Sequence, residues 1–88
     1  MQSKFREKFL KDISSISQQH VTRAIYNVML DVESAKDIRE IRNIKKLKNS
    51  RNAYRIRVGE YRIGIFLEGN VVEFTRCLHR KEIYRYFP

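Results

Sequence analysis

The sequence predicts an α+β domain in which an N-terminal helical hairpin covers one face of a small antiparallel β-sheet and a short C-terminal helix ends the chain. Three observations favour this class. Apolar residues recur at helical spacing in the first third, they alternate at strand spacing in the second half, and glycine-containing turns separate the alternating segments. A length of 88 residues fits one domain, residues 1–88, with a modest core.

The first third of the chain is predicted to form two helices. A first helix beginning near Lys4 is indicated by apolar residues spaced by four and three, namely Phe5, Phe9, Ile13 and Ile16. Ser17 is the expected N-cap of a second helix. The apolar stripe of that helix comprises Val21, Ala24, Ile25, Val28, Met29 and Val32. Asp37, followed three residues later by Glu40, forms a cap-like pattern that predicts a short helical turn.

The second half is predicted to form three strands. After a basic loop at 45–52, apolar and arginine residues alternate from 54 to 58, which is strand spacing. Gly59-Glu60 is a two-residue turn with glycine first, the type II′ pattern. The second strand follows at 61–67 and the third at 71–78, and residues 79–88, which we call the tail, are predicted to form a short helix.

Positive charge is concentrated in the second half of the sequence. The whole chain has a net charge of +9; residues 1–44 hold 8 basic and 6 acidic side chains, and residues 45–88 hold 11 basic and 4 acidic ones. Such a field favours a polyanion or an acidic protein as partner. With 42% hydrophobic residues, the composition is that of a folded domain and not of a disordered segment.

Several classes of protein are excluded by residue types that are scarce. One cysteine, Cys77, excludes a disulfide framework within the chain and a cysteine-based zinc site. No apolar run approaches the roughly 20 residues of a membrane span, and the N-terminus lacks a secretory signal, so we expect a cytoplasmic protein with no membrane partner. The carboxylates of the second half are scattered and the two histidines are distant, so we expect no metal and no cofactor.

Three arginines are predicted to share one face of the sheet. A turn at 59–60 pairs Arg57 with Arg62 and Arg55 with Gly64, while the apolar residues of both strands lie on the opposite face. Arg57 and Arg62 would then have Cα atoms roughly 4.5–5.5 Å apart, where like charges destabilise a sheet. Folding alone gives no reason for this arrangement, whereas an anionic ligand would. We call the face that carries these three residues the arginine face.

Two further placements bear on this face. A turn at 69–70 puts Arg76 on the apolar face, unless a β-bulge moves it to the arginine face, and both placements stay open. In a helical tail, Arg80 and Tyr84 are four residues apart and share a side. A tyrosine beside clustered arginines can stack on a nucleobase or accept a proton.

At these residues the sequence resembles the RelE/ParE toxin superfamily of type II toxin–antitoxin systems, and specifically its RelE-like branch. The resemblance rests on the lysine-rich 45–48 segment, on the YRIRVGEYRI run at 54–63 and on the HRKEIY run at 79–84, and it covers essentially the whole chain. It implies a microbial-RNase-like fold and a toxin that cleaves mRNA in the ribosomal A site. In that reaction the 2′-hydroxyl attacks the adjacent phosphate without a metal. It also implies a cognate antitoxin that neutralises the toxin.

The resemblance assigns roles to particular residues. Arg62, Arg80 and Tyr84 are expected to be catalytic, and His79 is a second candidate for the general base because a free imidazole titrates near neutral pH. RNA phosphates are expected to bind Arg55, Arg57, Lys46, Lys48 and Lys81. In the best-known member the strand pair is lysine. Here it is Arg55 and Arg57, which cannot lose a proton at working pH and are better suited as phosphate clamps.

Two other functions remain open at this point. A ParE-like toxin would keep the fold and inhibit DNA gyrase without nuclease activity. A non-enzymatic basic module would bind RNA or DNA with a salt-sensitive affinity. Supercoiling assays and a search for RNA cleavage products separate these functions from the ribonuclease.

Overall fold

The computed structural model describes all 88 residues and confirms the α+β class. Three α-helices and one 3₁₀ helix, Ile38–Glu40, surround a five-stranded sheet. The helices are α1 Glu7–Ser14, α2 Gln19–Ser34 and α3 Ile83–Tyr86. The strands are β1 Gln2–Phe5, β2 Ile44–Lys46, β3 Ala53–Val58, β4 Tyr61–Glu68 and β5 Val71–His79.

The sheet has two short outer strands that the sequence did not indicate. The strand order is β1-β5-β4-β3-β2, and all neighbours are antiparallel except β1 and β5, which are parallel. The expectation that the first helix begins near Lys4 is therefore wrong, because Lys4 lies in β1 opposite Glu73. The expectation of a loop over 45–52 is also wrong in part, because β2 pairs Lys45 with Arg55.

The central hairpin has the predicted register. Val58 lies opposite Tyr61, Arg57 opposite Arg62 and Ile56 opposite Ile63. Gly59 has a φ of +59°, as the first position of a type II′ turn requires, and a side chain there would be strained. A register shift between Gly64 and Ile65 lets β5 bulge, and it places Arg76 opposite Gly64. Of the two placements left open for Arg76, the bulged one is correct.

The main core lies between the sheet and the two N-terminal helices, as the apolar stripes predict. Phe9 and Ile13 of α1 and Ile25 and Val32 of α2 are buried against the apolar face of the sheet. Asp37 caps the 3₁₀ helix by accepting a hydrogen bond from the Arg39 N–H at 2.8 Å, which confirms the cap-like pattern. The expected cap at Ser17 is wrong, because α2 begins one residue later, after Gln18, and no side chain caps it.

The tail covers the middle of the sheet face opposite the N-terminal helices. Ile83 and Phe87 are buried there in a second, smaller apolar cluster with Ala53 of β3. Gly64 makes this docking possible, because a Cβ at that position would lie 2.6 Å from the Phe87 ring. The arginine face is thus open only beside the tail. Because the tail docks on this face, its side chains lie next to the arginines.

Candidate functional site

The arginine face forms as the hairpin register predicts. Arg55, Arg57 and Arg62 project to the sheet side opposite the helices, since their neighbours Ile56 and Ile63 are buried in the main core. Arg57 is exposed, whereas Arg55 and Arg62 are half-buried. The three guanidinium groups are therefore held at the surface by strands rather than by flexible loops.

Asn43 holds two of these arginines from the start of β2. Its backbone carbonyl accepts a hydrogen bond from Nη1 of Arg55 at 3.2 Å and another from the Arg57 backbone N–H at 3.0 Å. Its side-chain Oδ1 accepts from Nη2 of Arg57 at 3.3 Å. Asn43 has a φ of +62°, a conformation that asparagine tolerates better than most residues. Asn43 could not be identified from the sequence, because a positive φ outside a tight turn leaves no spacing signal.

One hydrogen-bond donor of Arg55 has no partner in this arrangement. Its Nε is buried and has no hydrogen-bond partner. A buried donor without a partner costs free energy, so the position is not optimised for stability alone.

Arg62 lies at the centre of a group of charged and polar side chains. Partial burial is the main cause that lowers the pKa of Arg62, and repulsion from Arg55 and Arg57 lowers it further. Arg80 adds to that repulsion, whereas the phenol of Tyr84 acts in the opposite direction. The guanidinium remains charged at neutral pH. We call these five residues the Arg62 cluster.

Local contacts fix the position of Arg62 within the cluster. Its Nη1 donates to the backbone carbonyls of Gly59 at 2.8 Å and Tyr61 at 2.9 Å. Tyr84 is carried to the cluster by α3, and its side chain is 61% exposed, so a ligand can reach the phenol. The cluster is a fixed cationic surface with one accessible phenol beside it.

Arg80 approaches the cluster from the end of β5. Its Nε lies 2.9 Å from a carboxylate oxygen of Glu60, and its backbone N–H donates to the Glu60 carbonyl at 2.8 Å. Glu60 is the second residue of the type II′ turn. Its contact with Arg80 could not be predicted from the sequence, in which Glu60 is recognisable only as a turn residue.

His79 does not join the cluster. It lies opposite Tyr61 on the helix side of the sheet, and its ring packs edge-on against the Tyr61 ring with centroids 5.7 Å apart. Its Nδ1 accepts the Lys81 N–H at 3.2 Å, and its Nε2 is 4.0 Å from the Glu60 carboxylate. The structure therefore separates His79 from Tyr84, the other candidate general base, by placing them on opposite sides of the sheet.

The predicted phosphate-binding lysines do not all lie on the arginine face. Lys46 lies opposite Tyr54, which packs against the main core on the helix side, so Lys46 is not on the arginine face. Lys45 lies opposite Arg55 and shares its face. Lys45 was not among the predicted phosphate-binding residues, because the segment was expected to be a loop, and residues of a loop do not alternate between two faces. Lys48 and Lys81 are exposed in turns beside the sheet.

Arg76 forms a structural ion pair at the edge of this face. Its Nε and Nη2 donate to the Asp12 carboxylate at 2.8 and 3.1 Å, and the same carboxylate accepts the Cys77 backbone N–H at 2.9 Å. Both side chains are largely buried, and the hydrogen bonds to Asp12 raise the pKa of Arg76. This arginine ties α1 to the bulge in β5.

The structure contains neither a group of metal-binding side chains nor a membrane-spanning helix. No three His, Cys, Asp or Glu side chains are grouped in a way that would bind a metal ion. None of the helices has the length and the apolar character needed to cross a lipid bilayer.

Comparison with known proteins gives consistent results at the level of sequence and of fold. A curated relative, Toxin RelE3 of Methanocaldococcus jannaschii, is 39% identical over 85 residues, which is 96% of each chain. A solved RelB–RelE antitoxin–toxin complex from Methanococcus jannaschii contains a chain with 39% identity and a TM-score of 0.82, covering 97% of this chain and 99% of that one. No protein-family model matches the sequence.

More distant structures share the fold alone. A chain of an archaeal RelE–RelB complex from Pyrococcus horikoshii OT3 has a TM-score of 0.74 at 20% identity, covering 93% of this chain and 97% of that one. A chain of the Escherichia coli RelBE complex has a TM-score of 0.69 at 20% identity, covering 89% and 94%. Fold, site and relatives together define a toxin of the toxin–antitoxin class. Within that class, the chain belongs to the RelE family.

Proposed function

We propose that this RelE-family toxin is a ribosome-dependent, metal-independent endoribonuclease that cleaves mRNA and thereby inhibits translation. The observation that supports the proposal is the Arg62 cluster, in which three further arginines and the exposed phenol of Tyr84 all act electrostatically on the Arg62 guanidinium. Mutual repulsion of these guanidinium groups is relieved when an anion binds between them. A phosphodiester supplies that anion, and arginine binds phosphate oxygens in a bidentate manner.

The reaction consists of attack by a 2′-hydroxyl on the adjacent phosphorus. As the new bond from oxygen to phosphorus forms, the bond from phosphorus to the 5′ oxygen breaks, which leaves a 2′,3′-cyclic phosphate and a 5′-hydroxyl. Tyr84 takes the proton from the 2′-hydroxyl in its phenolate form and becomes a neutral phenol, because guanidinium groups cannot accept a proton. His79 lies on the other side of the sheet and takes no part in this step.

Two arginines bind the phosphate in the ground state, and two stabilise the transition state. Arg55 and Arg57 clamp the non-bridging phosphate oxygens in the ground state. Arg62 and Arg80 stabilise the charge that grows on the pentacoordinate phosphate and on the leaving 5′ oxygen, which takes its proton from water. Lys45 shares the face of Arg55, and Lys48 and Lys81 are exposed in turns beside the sheet; these lysines bind neighbouring phosphates of the RNA.

The natural partner in this proposal is a cognate antitoxin. A similar chain, 39% identical to this one, is part of a solved RelB–RelE antitoxin–toxin complex. The strongly basic second half favours an acidic or amphipathic antitoxin segment that masks the arginine face. The site of action is the cytoplasm, where ribosomes and mRNA meet.

In vitro translation with primer extension tests this function. The wild-type protein is expected to cut ribosome-bound mRNA, and Arg62→Ala or Tyr84→Phe to reduce cleavage by about 10²–10³-fold, as removal of one transition-state contact does in other enzymes. Arg23→Ala, which removes an exposed arginine of α2, is the matched control and should keep full activity. Circular dichroism verifies that all variants are folded.

Three outcomes would overturn the proposal. Full cleavage by both site variants would show that the cluster is not the active site. Loss of DNA supercoiling with translation intact would indicate a ParE-like gyrase inhibitor. Salt-sensitive RNA binding without cleavage products would indicate a binding module.

A further inference from the structure

We infer that Glu60 is a positioning residue that holds the Arg80 guanidinium at the Arg62 cluster through a direct ion pair, so that Arg80 meets the phosphate in a fixed orientation. The inference rests on the proposed ribonuclease function, and it assigns a role to a carboxylate that touches no RNA in the proposed mechanism. A carboxylate beside a cationic site is otherwise unexpected, because it opposes the binding of phosphate.

Two independent contacts join Glu60 to Arg80. The backbone N–H of Arg80 donates to the Glu60 carbonyl at 2.8 Å, which fixes the end of β5 against the turn between β3 and β4. The side chains then meet at 2.9 Å, between Nε of Arg80 and Oε2 of Glu60. Arg80 is thus held at its main chain and at its head group by the same turn residue.

The turn that carries Glu60 also contacts Arg62. Gly59 adopts a φ of +59° in this turn. The Gly59 carbonyl accepts a hydrogen bond from Nη1 of Arg62 at 2.8 Å. The same turn therefore orients Arg62 through a backbone carbonyl and Arg80 through a carboxylate. This common support explains how two arginines from different strands keep one relative position.

The ion pair leaves Arg80 able to bind a phosphate. A guanidinium has five N–H donors, and one carboxylate engages at most two of them. The Arg80 side chain is 55% exposed, so donors remain open to the solvent side. Arg80 also lies close enough to Arg62 to lower its pKa while the pair with Glu60 is made.

His79 lies on the other side of the carboxylate. Because Nδ1 of His79 accepts the Lys81 N–H, the proton of a neutral ring is on Nε2, which lies 4.0 Å from the same Oε2 of Glu60, beyond hydrogen-bond distance. Glu60 is therefore placed between Arg80 and His79, and its direct side-chain contact is with Arg80.

The alternative role for Glu60 is that of a brake which neutralises Arg80 until RNA displaces it. The two roles predict opposite effects of Glu60→Gln, a change that keeps the size of the side chain and removes its charge. Positioning predicts a lower kcat, of about 10- to 100-fold, because small misplacements of a catalytic group have effects of that order. A brake predicts a higher kcat or a lower KM.

The test is steady-state cleavage of ribosome-bound mRNA by the 88-residue protein. Expected results are a kcat loss with nearly unchanged KM for Glu60→Gln, and partial recovery for Glu60→Asp, which restores the charge. Glu68→Gln makes the same charge change at the β4 end of the next turn and should stay within about twofold of the wild type, since single exposed charges contribute little. Equal losses in Glu60→Gln and Glu68→Gln would overturn the inference by showing a general charge effect.

A double-mutant cycle sharpens the test. If Glu60 acts through Arg80, then Glu60→Gln has no further effect on kcat in an Arg80→Ala background. Losses that multiply in the double variant would overturn the inference. An unchanged or increased kcat in the Glu60→Gln single variant would do so as well, and would favour the brake.

A spectroscopic measurement separates failure of this inference from failure of the proposed function. The Arg80 Nε–Hε resonance in a ¹⁵N correlation spectrum is expected to shift in Glu60→Gln and to stay in place in Glu68→Gln. If the resonance does not move, Glu60 does not hold Arg80. If it moves but the wild type cleaves no mRNA, the ion pair stands and the ribonuclease assignment, together with the catalytic part of this inference, is overturned.

Discussion

Replacing Phe87 with alanine should inactivate the toxin without unfolding it. Phe87 is 1% exposed, and with Ile83 it is one of two fully buried anchors that dock the tail on the sheet. Tyr84 lies between these anchors in the sequence, so its place in the Arg62 cluster depends on both. Arg80 is less affected, because its backbone is tied to the hairpin turn.

The size of the effect follows from the burial of the two anchors. Burying such a side chain contributes about 1.5–3 kcal/mol each, so the two anchors give roughly 3–6 kcal/mol, and the entropy lost by ordering the tail offsets part of it. Truncating a core phenylalanine usually costs about 3–5 kcal/mol. That cost matches or exceeds the net docking free energy, so the tail of Phe87→Ala is expected to be mostly undocked.

Two measurements together check this expectation. Cleavage of ribosome-bound mRNA should fall by at least about tenfold, because Tyr84 is no longer positioned. The stability of the rest of the domain to urea should fall by no more than about 1–3 kcal/mol, since the loss cannot exceed the free energy that docked the tail. Hydrogen exchange should show that the Phe87 amide, which donates to the Ile83 carbonyl at 2.8 Å, has lost its protection.

Tyr86→Phe is the matched control. Tyr86 is 53% exposed on the same helix, and the change keeps its ring over the Arg76 guanidinium, 5.3 Å from centroid to Cζ. Activity and exchange should be those of the wild type. The reasoning is refuted if Phe87→Ala cleaves RNA normally while its tail amides exchange freely, because Tyr84 would then be unnecessary.

Three further predictions concern the supports of the site. Asp12→Ala should lower the free energy of unfolding in urea by about 3–5 kcal/mol, since it leaves the largely buried Arg76 unpaired, and a loss below about 1 kcal/mol would contradict this. Burial raises the pKa of the Cys77 thiol to about 12, so iodoacetamide at pH 8 should label only the unfolded chain. The unfolded thiol loses its proton above its ordinary value of 9.0, so this group should reduce stability only as the pH rises from 9 towards 12, as denaturation at several pH values would show. His79→Gln should retain most cleavage activity in the primer-extension assay, and a loss as large as that of Tyr84→Phe would place the general base at His79.

The central hairpin could be predicted in detail because its signals are local. The two-residue Gly59-Glu60 turn fixes the register, and strand alternation then places every side chain of β3 and β4 on a face. The arginine face followed from those two facts. Its apparent cost to folding, two arginines directly opposite each other, was the reason to expect an anionic ligand.

The outer strands could not be predicted because their partners are distant in the sequence. β1 has four residues and pairs with a strand that begins at Val71, and β2 has three residues between two irregular segments. Neither is long enough to show a period. The pairing of β2 with β3 decides which of Lys45 and Lys46 lies on the arginine face. Because β2 was not predicted, Lys46 was chosen as a phosphate-binding residue instead of Lys45.

The place where the tail docks could not be predicted from the sequence. Ile83 and Phe87 are apolar residues of the tail, but nothing in the sequence says that Ala53 and Gly64 leave room for them on the arginine side. The small size of these two strand residues is visible in the sequence. Their small size becomes informative only when the strand register shows that both residues lie under the tail.

The most direct test of the central claim, that the arginine face cleaves RNA through attack by a 2′-hydroxyl, removes that hydroxyl. An mRNA is prepared with a single 2′-deoxynucleotide on the 5′ side of the bond that the wild-type toxin cuts on the ribosome. We predict that cleavage at this bond is abolished, whereas the unmodified message yields fragments ending in a 2′,3′-cyclic phosphate. Undiminished cleavage of the deoxy-substituted bond would contradict the account.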